Sequence, residues 1–190
     1  MGTRDRIIDA AEQAIRDFGI AGATTKRIAH QAGCSEALLY KHFASKEALF
    51  LAVLLERLPA LAPALARLRL STGQGDLAAN LTEFALMAVE FYTKAAGIAS
   101  GVLADPKLMT GFRGMLAETR SGPHLPIQAL AEILRVEQRA GRIDEAMDAD
   151  AAAAMLMGAC FHRANMSYFV ELPEADGPWA AAMVRTLVRK

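Results

Sequence analysis

Apolar residues along this 190-residue chain recur every three or four positions, and no run alternates β-branched residues with polar ones. That spacing lines one side of a 3.6-residue turn and predicts helices throughout. Ile7, Ile8, Ala11, Ala14, Ile15 and Phe18 mark a first amphipathic helix, and Gly19 follows as its stop. Thr24 and Thr25 then precede a short helix with Ile28, Ala29 and Ala32 on one side, because a hydroxyl there caps free N–H groups. Gly33 stands where a helix end commonly needs a left-handed residue. Ser35 is the next N-cap candidate; from it Leu39 and Phe43 fall one turn apart and face inward. Ala37 and Lys41 point the opposite way, with Glu36, Leu38 and Tyr40 on the flanks, and Ser45 is a third cap for a helix starting at Lys46.

The rest of the chain is rich in alanine, leucine and methionine, and at about 145 residues it is long enough for its own core. The fourth helix is expected from Lys46 toward Arg69, interrupted or bent by Pro59 and Pro63, with Gly73 and Gly75 ending that section. Asp76 caps a long apolar helix toward Ala96 that contains Leu81, Phe84, Met87, Ala88 and Phe91. Asp105-Pro106 opens another with Leu108, Met109, Phe112 and Met115, and Gly122-Pro123 separates it from a helix over about Pro126 to Ala140. Asp148 or Asp150 begins a helix to about Glu171, and Pro178 begins the last, with Trp179, Met183 and Leu187. The run AAAAMLMGACF after Asp150 is apolar nearly all round but stops at His162. It is too short for a bilayer, which needs about 20 apolar residues, so it predicts a helix buried on several sides.

The segment from Thr24 to Phe50 predicts a helix-turn-helix, a unit whose second helix can lie in the major groove of DNA. Its residues resemble the TetR family of transcriptional repressors. The likeness rests on the TT pair, Ile28-Ala29, Ala32-Gly33, Ser35, Leu39-Tyr40, His42-Phe43 and Ser45 to Glu47, all in one spacing. It covers roughly the first quarter of the chain; beyond it only helical content, length and a loose pattern over Arg135 to Ile143 are similar.

The resemblance implies roles. Thr25 and Lys26 match positions that touch DNA at the start of the second helix. Ser35 caps the recognition helix, and Glu36, Ala37 and Leu38 match its base-facing start. Tyr40, His42 and Lys46 match positions that hold phosphates, which want hydroxyls, cations or a helix N-terminus. An ionised Glu36 only accepts, so it suits the amino group of cytosine, or else serves as a first-turn dipole partner that meets no base. Ala37 and Leu38 suit a thymine methyl. The chain departs from the family at Leu38, where many members carry Thr or Ser, so the operator sequence does not carry over. Cys34 replaces an aliphatic residue and reads as a small core residue rather than a redox sensor.

Charge sharpens this only locally. The chain has 21 basic and 21 acidic residues, yet Thr24 to Lys46 carries Lys26, Arg27, Lys41 and Lys46 against Glu36, or 4 − 1 = +3. That suits a small DNA-facing patch on a larger body. Cys34 and Cys160 form neither metal spacing nor a disulfide framework, which fits a reducing cytoplasm. The four histidines, His30, His42, His124 and His162, build no metal site, and no phosphate-cradling loop or nucleophile elbow is present. Nothing points to catalysis, a cofactor or a metal. The charged opening MGTRDR predicts no secretory leader, and no membrane partner is expected.

The expectation is therefore an all-α protein with two parts. Residues 1–46 form a three-helix helix-turn-helix head that binds DNA, and residues 47–190 form a helical domain for effector binding and dimerisation. The resemblance implies a palindromic operator bound by a homodimer, and release by a small apolar or aromatic effector. Met87, Phe91, Phe112 and Met115 are candidates for lining the effector cavity, or for filling a solid core. His124 and Arg120, beside a Gly-Pro loop, could meet a polar group of that ligand or simply be solvated. Met155, Ala159, His162 and Met166, at 4-3-4 spacing, with Met183 and Leu187 in the last helix, are candidates for the dimer face. The rival readings are a helical small-molecule or lipid carrier, and an interaction protein with a vestigial DNA-binding head.

Overall fold

A computed structural model describes residues 2–57, 61–120 and 122–188, with the side chain of residue 57 left aside, and the described residues hold helices and no strand. The first helix, α1 (Thr3–Gly22), buries Ile7, Ile8, Ala10, Ala11, Ala14 and Ile15 along one side. Its regular path breaks at Gly19, whose φ of 66° and ψ of 173° lie outside the helical region, and one further turn carries Ile20 to Gly22. Phe18 departs from the expected inner face: it is 51% exposed, and the Arg27 guanidinium stacks on its ring at 4.0 Å. At the end of the helix, its ring finds a cation rather than a core.

Caps decide the next boundaries. The Thr24 hydroxyl accepts from the Arg27 N–H at 3.3 Å and starts α2 (Thr25–Gln31). Gly33 turns the chain at φ 66°, and the Cys34 N–H returns to the Ala29 carbonyl at 2.9 Å. Ser35 accepts from the Leu38 N–H at 3.1 Å and starts α3 (Glu36–His42). Ser45 accepts from the Ala48 N–H at 3.1 Å and starts α4 (Lys46–Arg57). Each hydroxyl satisfies one of the donors that a helix N-terminus leaves without a partner.

Then α5 (Leu61–Leu70) contains Pro63 and buries Leu61, Ala64, Leu65 and Leu68. Pro59, expected to interrupt or bend this stretch, lies outside the described residues. Asp76 caps α6 (Leu77–Ala104) through the Ala78 N–H at 2.9 Å. This helix runs eight residues past the expected Ala96. Asp105 caps α7 (Pro106–Thr119), α8 spans His124–Arg139, and Asp148 caps α9 (Ala149–Met166). That ninth helix ends before the expected Glu171, in a turn that leaves Tyr168, Phe169 and Val170 exposed. The last, α10 (Asp176–Leu187), starts two residues ahead of Pro178.

The chain divides into two compact units. One comprises residues 1–58 with 94–121, the other residues 59–93 with 122–190. The first unit's core joins Ile7, Ile8 and Ala11 of α1 to Ile28, Leu39, Phe43, Leu49, Phe50 and Val53, and also to Ile98 and Val102 of α6 and Leu108 of α7. In the second, Leu81, Phe84 and Ala88 of α6 pack with Leu130, Leu134, Leu156, Met157, Cys160 and Val184. Residues 46–70 are long and apolar enough by composition to cross a bilayer. Within it, Leu49, Phe50 and Val53 are buried in the first core, and Leu61, Leu65 and Leu68 in the second.

Two buried charges tie loops to the second core. Glu137 accepts from the Gly73 N–H at 3.1 Å, and its other oxygen faces Arg142 Nε at 3.3 Å, an ion pair without hydrogen-bond alignment. Arg142 in turn donates to the Gly75 carbonyl at 2.8 Å, so the turn before α6 is fixed to the end of α8. Arg163 joins α9 to α10: its Nε donates to Asp176 at 2.7 Å, another nitrogen reaches the Glu174 carbonyl, and the guanidinium lies 4.9 Å from the Trp179 ring. A buried charge paired this way avoids the cost of standing alone.

Candidate DNA interface

A seven-residue helix is too short to stand alone in water, so α3 takes its form from what it packs against. Leu39 is fully buried and Phe43, at its C-terminal cap, nearly so. The Arg4 guanidinium lies 5.3 Å from the Phe43 ring and grips both Glu56 oxygens, at 2.8 and 2.6 Å. That fork, on which the Glu56 carboxylate raises the Arg4 pKa, joins the first turn of α1 to the last turn of α4 beside the end of α3.

The opposite face of α3 is open. Glu36, Ala37, Tyr40, Lys41 and His42 are exposed, with Tyr40 at 48%, and Leu38 is half-buried. Lys26 and Ser35 are exposed and Thr25 half-buried. The Thr25 hydroxyl donates to the Glu36 carboxylate at 2.8 Å, which links the starts of α2 and α3. Lys46, at the start of α4, is half-buried; its Nζ donates to the Ile20 carbonyl at 3.3 Å and lies 5.0 Å from the Phe50 ring. An ammonium has three donors, so two remain for a ligand. The structure thus gathers Thr25, Lys26, Ser35, Glu36, Ala37, Leu38, Tyr40, His42 and Lys46 on the first turns of α2 and α4 and along α3.

Sequence reasoning assigned no role to Arg4 or Ile20 and counted Arg27 only in the local positive charge. Arg27 donates to the Gly22 carbonyl at 2.8 Å and stacks on Phe18, which fixes the short link between α1 and α2. No sequence signal marks such pairs, because their partners lie far along the chain or hinge on the break at Gly19.

Residues 7–53 match the family described as bacterial regulatory proteins, tetR family. Those residues form a TetR-type DNA-binding domain. It is 26% identical over 167 residues to the helix-turn-helix-type transcriptional regulator YvkB of Bacillus subtilis strain 168, covering 86% of this chain and 84% of that protein. A structure from Mesorhizobium loti MAFF303099, assigned to TetR-family transcriptional regulators, superposes with a TM-score of 0.73 at 21% identity, over 97% of this chain and 94% of the other. SmeT, the repressor of the Stenotrophomonas maltophilia multidrug efflux pump SmeDEF, superposes with a TM-score of 0.66 at 22% identity, over 98% and 90%. The chain is accordingly a DNA-binding regulator of transcription, all-α, with a TetR-type helix-turn-helix near its N-terminus.

The remaining candidates sit in both units of the regulator. Met87 and Phe91 pack half-buried against the second core, Phe112 packs against the first, and Met115 is half-buried in α7. The four do not share one core. A groove of about 420 Å³ lies between α5 and α8 instead, lined by Arg69, Thr72, Glu132, Ile133, Arg135, Val136 and Arg139. Arg120 and His124, the loop candidates, are exposed. On α9, Ala152, Ala153, Leu156, Met157 and Cys160 enter the core, while Met155 (67% exposed), Ala159, His162 and Met166 form a stripe to one side of them. Met183 and Leu187 on α10 are half-buried.

Cys34 is half-buried against the first core, in keeping with a packing role. Burial pushes the Cys160 thiol up to about 12, so it stays protonated and unreactive. Among the described residues no group of three or more His, Cys, Asp or Glu is placed to hold a metal ion.

Proposed function

We propose that this regulator is a dimeric repressor of an imperfectly palindromic operator, released by a small apolar or aromatic effector. The observation that carries the reading is the open face of α3: Glu36, Ala37, Tyr40 and His42 stand free of the core that Leu39 and Phe43 enter. Tyr40, His42, Lys46, Thr25 and Lys26 hold phosphates, and Glu36, Ala37 and Leu38 meet base edges. The local charge of +3 draws the head to DNA. Two heads related by a two-fold axis reach successive major grooves about 34–36 Å apart. The stripe of exposed Met155 and His162 with half-buried Ala159 and Met166, together with half-buried Met183 and Leu187, supports pairing of α9 and α10 with a second copy. Met87 and Phe91, half-buried against the second core, offer adaptable apolar surface to an effector, which releases the operator if it binds the DNA-free arrangement more tightly. The protein acts where its operator lies, in the cytoplasm.

Mobility shift with the DNA upstream of its own gene tests this reading. Tight, salt-sensitive binding with two-fold stoichiometry is the expected result. No shift at low salt, from a folded protein, would remove the regulator reading and leave a helical carrier or an interaction protein.

A further inference from the structure

We propose that Ile20 and Gly101 form a peg and notch that positions Lys46 for its phosphate, an inference that rests on the DNA-binding role given to Lys46 above. Gly101 lies inside α6, where glycine disfavours a helix relative to alanine, so its presence needs a cause. The cause is steric. A Cβ on Gly101 would stand 2.2 Å from Ile20 Cδ1, 2.6 Å from Cγ1 and 2.8 Å from Cβ. The last of these atoms is fixed to the backbone, so rotating the side chain cannot relieve the clash; the final turn of α1 would have to move. Gly97, one turn earlier on the same helix, has nothing within 4 Å of the corresponding point.

The seat of Ile20 matters because of its carbonyl. Gly19 breaks α1 at φ 66° immediately before it, and the freed turn aims the Ile20 carbonyl at Lys46 Nζ, 3.3 Å away. The ammonium is bounded on another side by the Phe50 ring, which is fully buried. Of its three donors one is used and two are left to meet phosphate oxygens. The side chain of Ile20 thus reads the position of α6, and its carbonyl sets the position of a phosphate anchor. Ile20 and Gly101 are positioning residues; neither needs to touch DNA.

Anisotropy titrations with a labelled duplex from the DNA upstream of the gene, repeated over a salt series, test the inference. Gly101→Ala should weaken binding at least about threefold and lower the salt slope toward that of Lys46→Met, by about 0.9 for each phosphate that is no longer neutralised. Gly97→Ala, with the same gain in helix propensity and no clash, should bind as the parent does. Adding Ile20→Gly to Gly101→Ala removes the peg, its Cβ included, and should restore most of the affinity. In a Lys46→Met background Gly101→Ala should change nothing further. Gly101→Ala with parental affinity and slope, or a weakening that persists in the Lys46→Met background, would overturn the proposal. If Gly101→Ala does not fold, Ile20→Ala alone carries the test: it should lower affinity and slope only while Lys46 is present, and parental binding by it refutes the joint. Should Lys46→Met itself leave binding and slope unaltered, the phosphate role falls first, and with it this inference.

Discussion

Replacing Leu39 by alanine probes what holds the recognition helix in place. Leu39 is fully buried, and α3 offers the first core only it and Phe43. The change removes three carbons, about 2.4 kcal/mol at roughly 0.8 kcal/mol per buried methylene. A residual cavity adds to that, giving about 3–4 kcal/mol in all. A destabilisation of this size is a large share of the roughly 5–15 kcal/mol that holds a domain folded. Because seven residues do not form a helix on their own, it should appear first as local opening of α2 and α3. Hydrogen exchange followed by mass spectrometry on peptides spanning residues 24–43 gives the readout. A change of about 3 kcal/mol accelerates exchange by roughly 150-fold where opening is a pre-equilibrium, at 1.36 kcal/mol per decade. Leu38→Ala, at the half-buried neighbour, is the control and should stay within about 1 kcal/mol. If Leu38→Ala cost as much as Leu39→Ala, or if Leu39→Ala accelerated exchange less than about fivefold, the assignment of inner and outer faces to α3 would be wrong.

Three further outcomes are expected. Lys46→Met keeps an apolar stem but removes one phosphate partner per head, so the salt slope of a dimer should fall by about 1.8, and the affinity gap from the parent should shrink about 12-fold between about 50 and 200 mM salt; an unchanged slope in a titration series counts against the pairing. Glu36→Gln, whose amide oxygen can still accept from the Thr25 hydroxyl, should shift preference at one base pair by about 1–3 kcal/mol in a selection on randomised operators, whereas uniform scaling of every affinity would remove Glu36 from base reading. The Glu47 carboxyl is held below its ordinary 4.5 by a backbone hydrogen bond and then by the Ser45 hydroxyl. Its contribution is present above that ordinary value and lost as pH falls through the depressed one, so urea midpoints from about pH 6 to about pH 3 should drop less steeply in Glu47→Gln than in the parent.

The head was legible because its boundaries rest on local chemistry. Thr24, Ser35 and Ser45 each cap the helix expected of them, and Gly33 turns the chain with the positive φ its place requires. Asp76, Asp105 and Asp148 cap the later helices for the same reason: a short acceptor ahead of an apolar run satisfies the first free N–H groups. Long-range geometry was not legible. The helix expected to run toward Ala96 continues to Ala104, its side at Ile98 and Val102 buried with the head. The apolar Tyr168, Phe169 and Val170 extended the expected ninth helix past its end, although they lie exposed in a turn. Phe18 fitted the periodicity of a core residue and serves instead as a platform for Arg27. Among the DNA-facing candidates, Thr25 with Glu36, and Lys46 with Ile20, are joined by hydrogen bonds between residues 11 and 26 positions apart, which no periodicity reveals. The groove between α5 and α8 escaped notice because its lining of arginines looks, in sequence, like an ordinary solvated helix face.

The sharing of α6 between two cores bears on how this regulator can be rebuilt. Ile98, Val102 and Leu108 belong to the same core as Ile28, Leu39 and Phe50. A fragment cut after residue 53 would leave that core without one wall, however complete its motif. Chimaeras that graft this head onto a foreign sensor should therefore carry residues 94–121 with it, or redesign the apolar surface those residues leave bare.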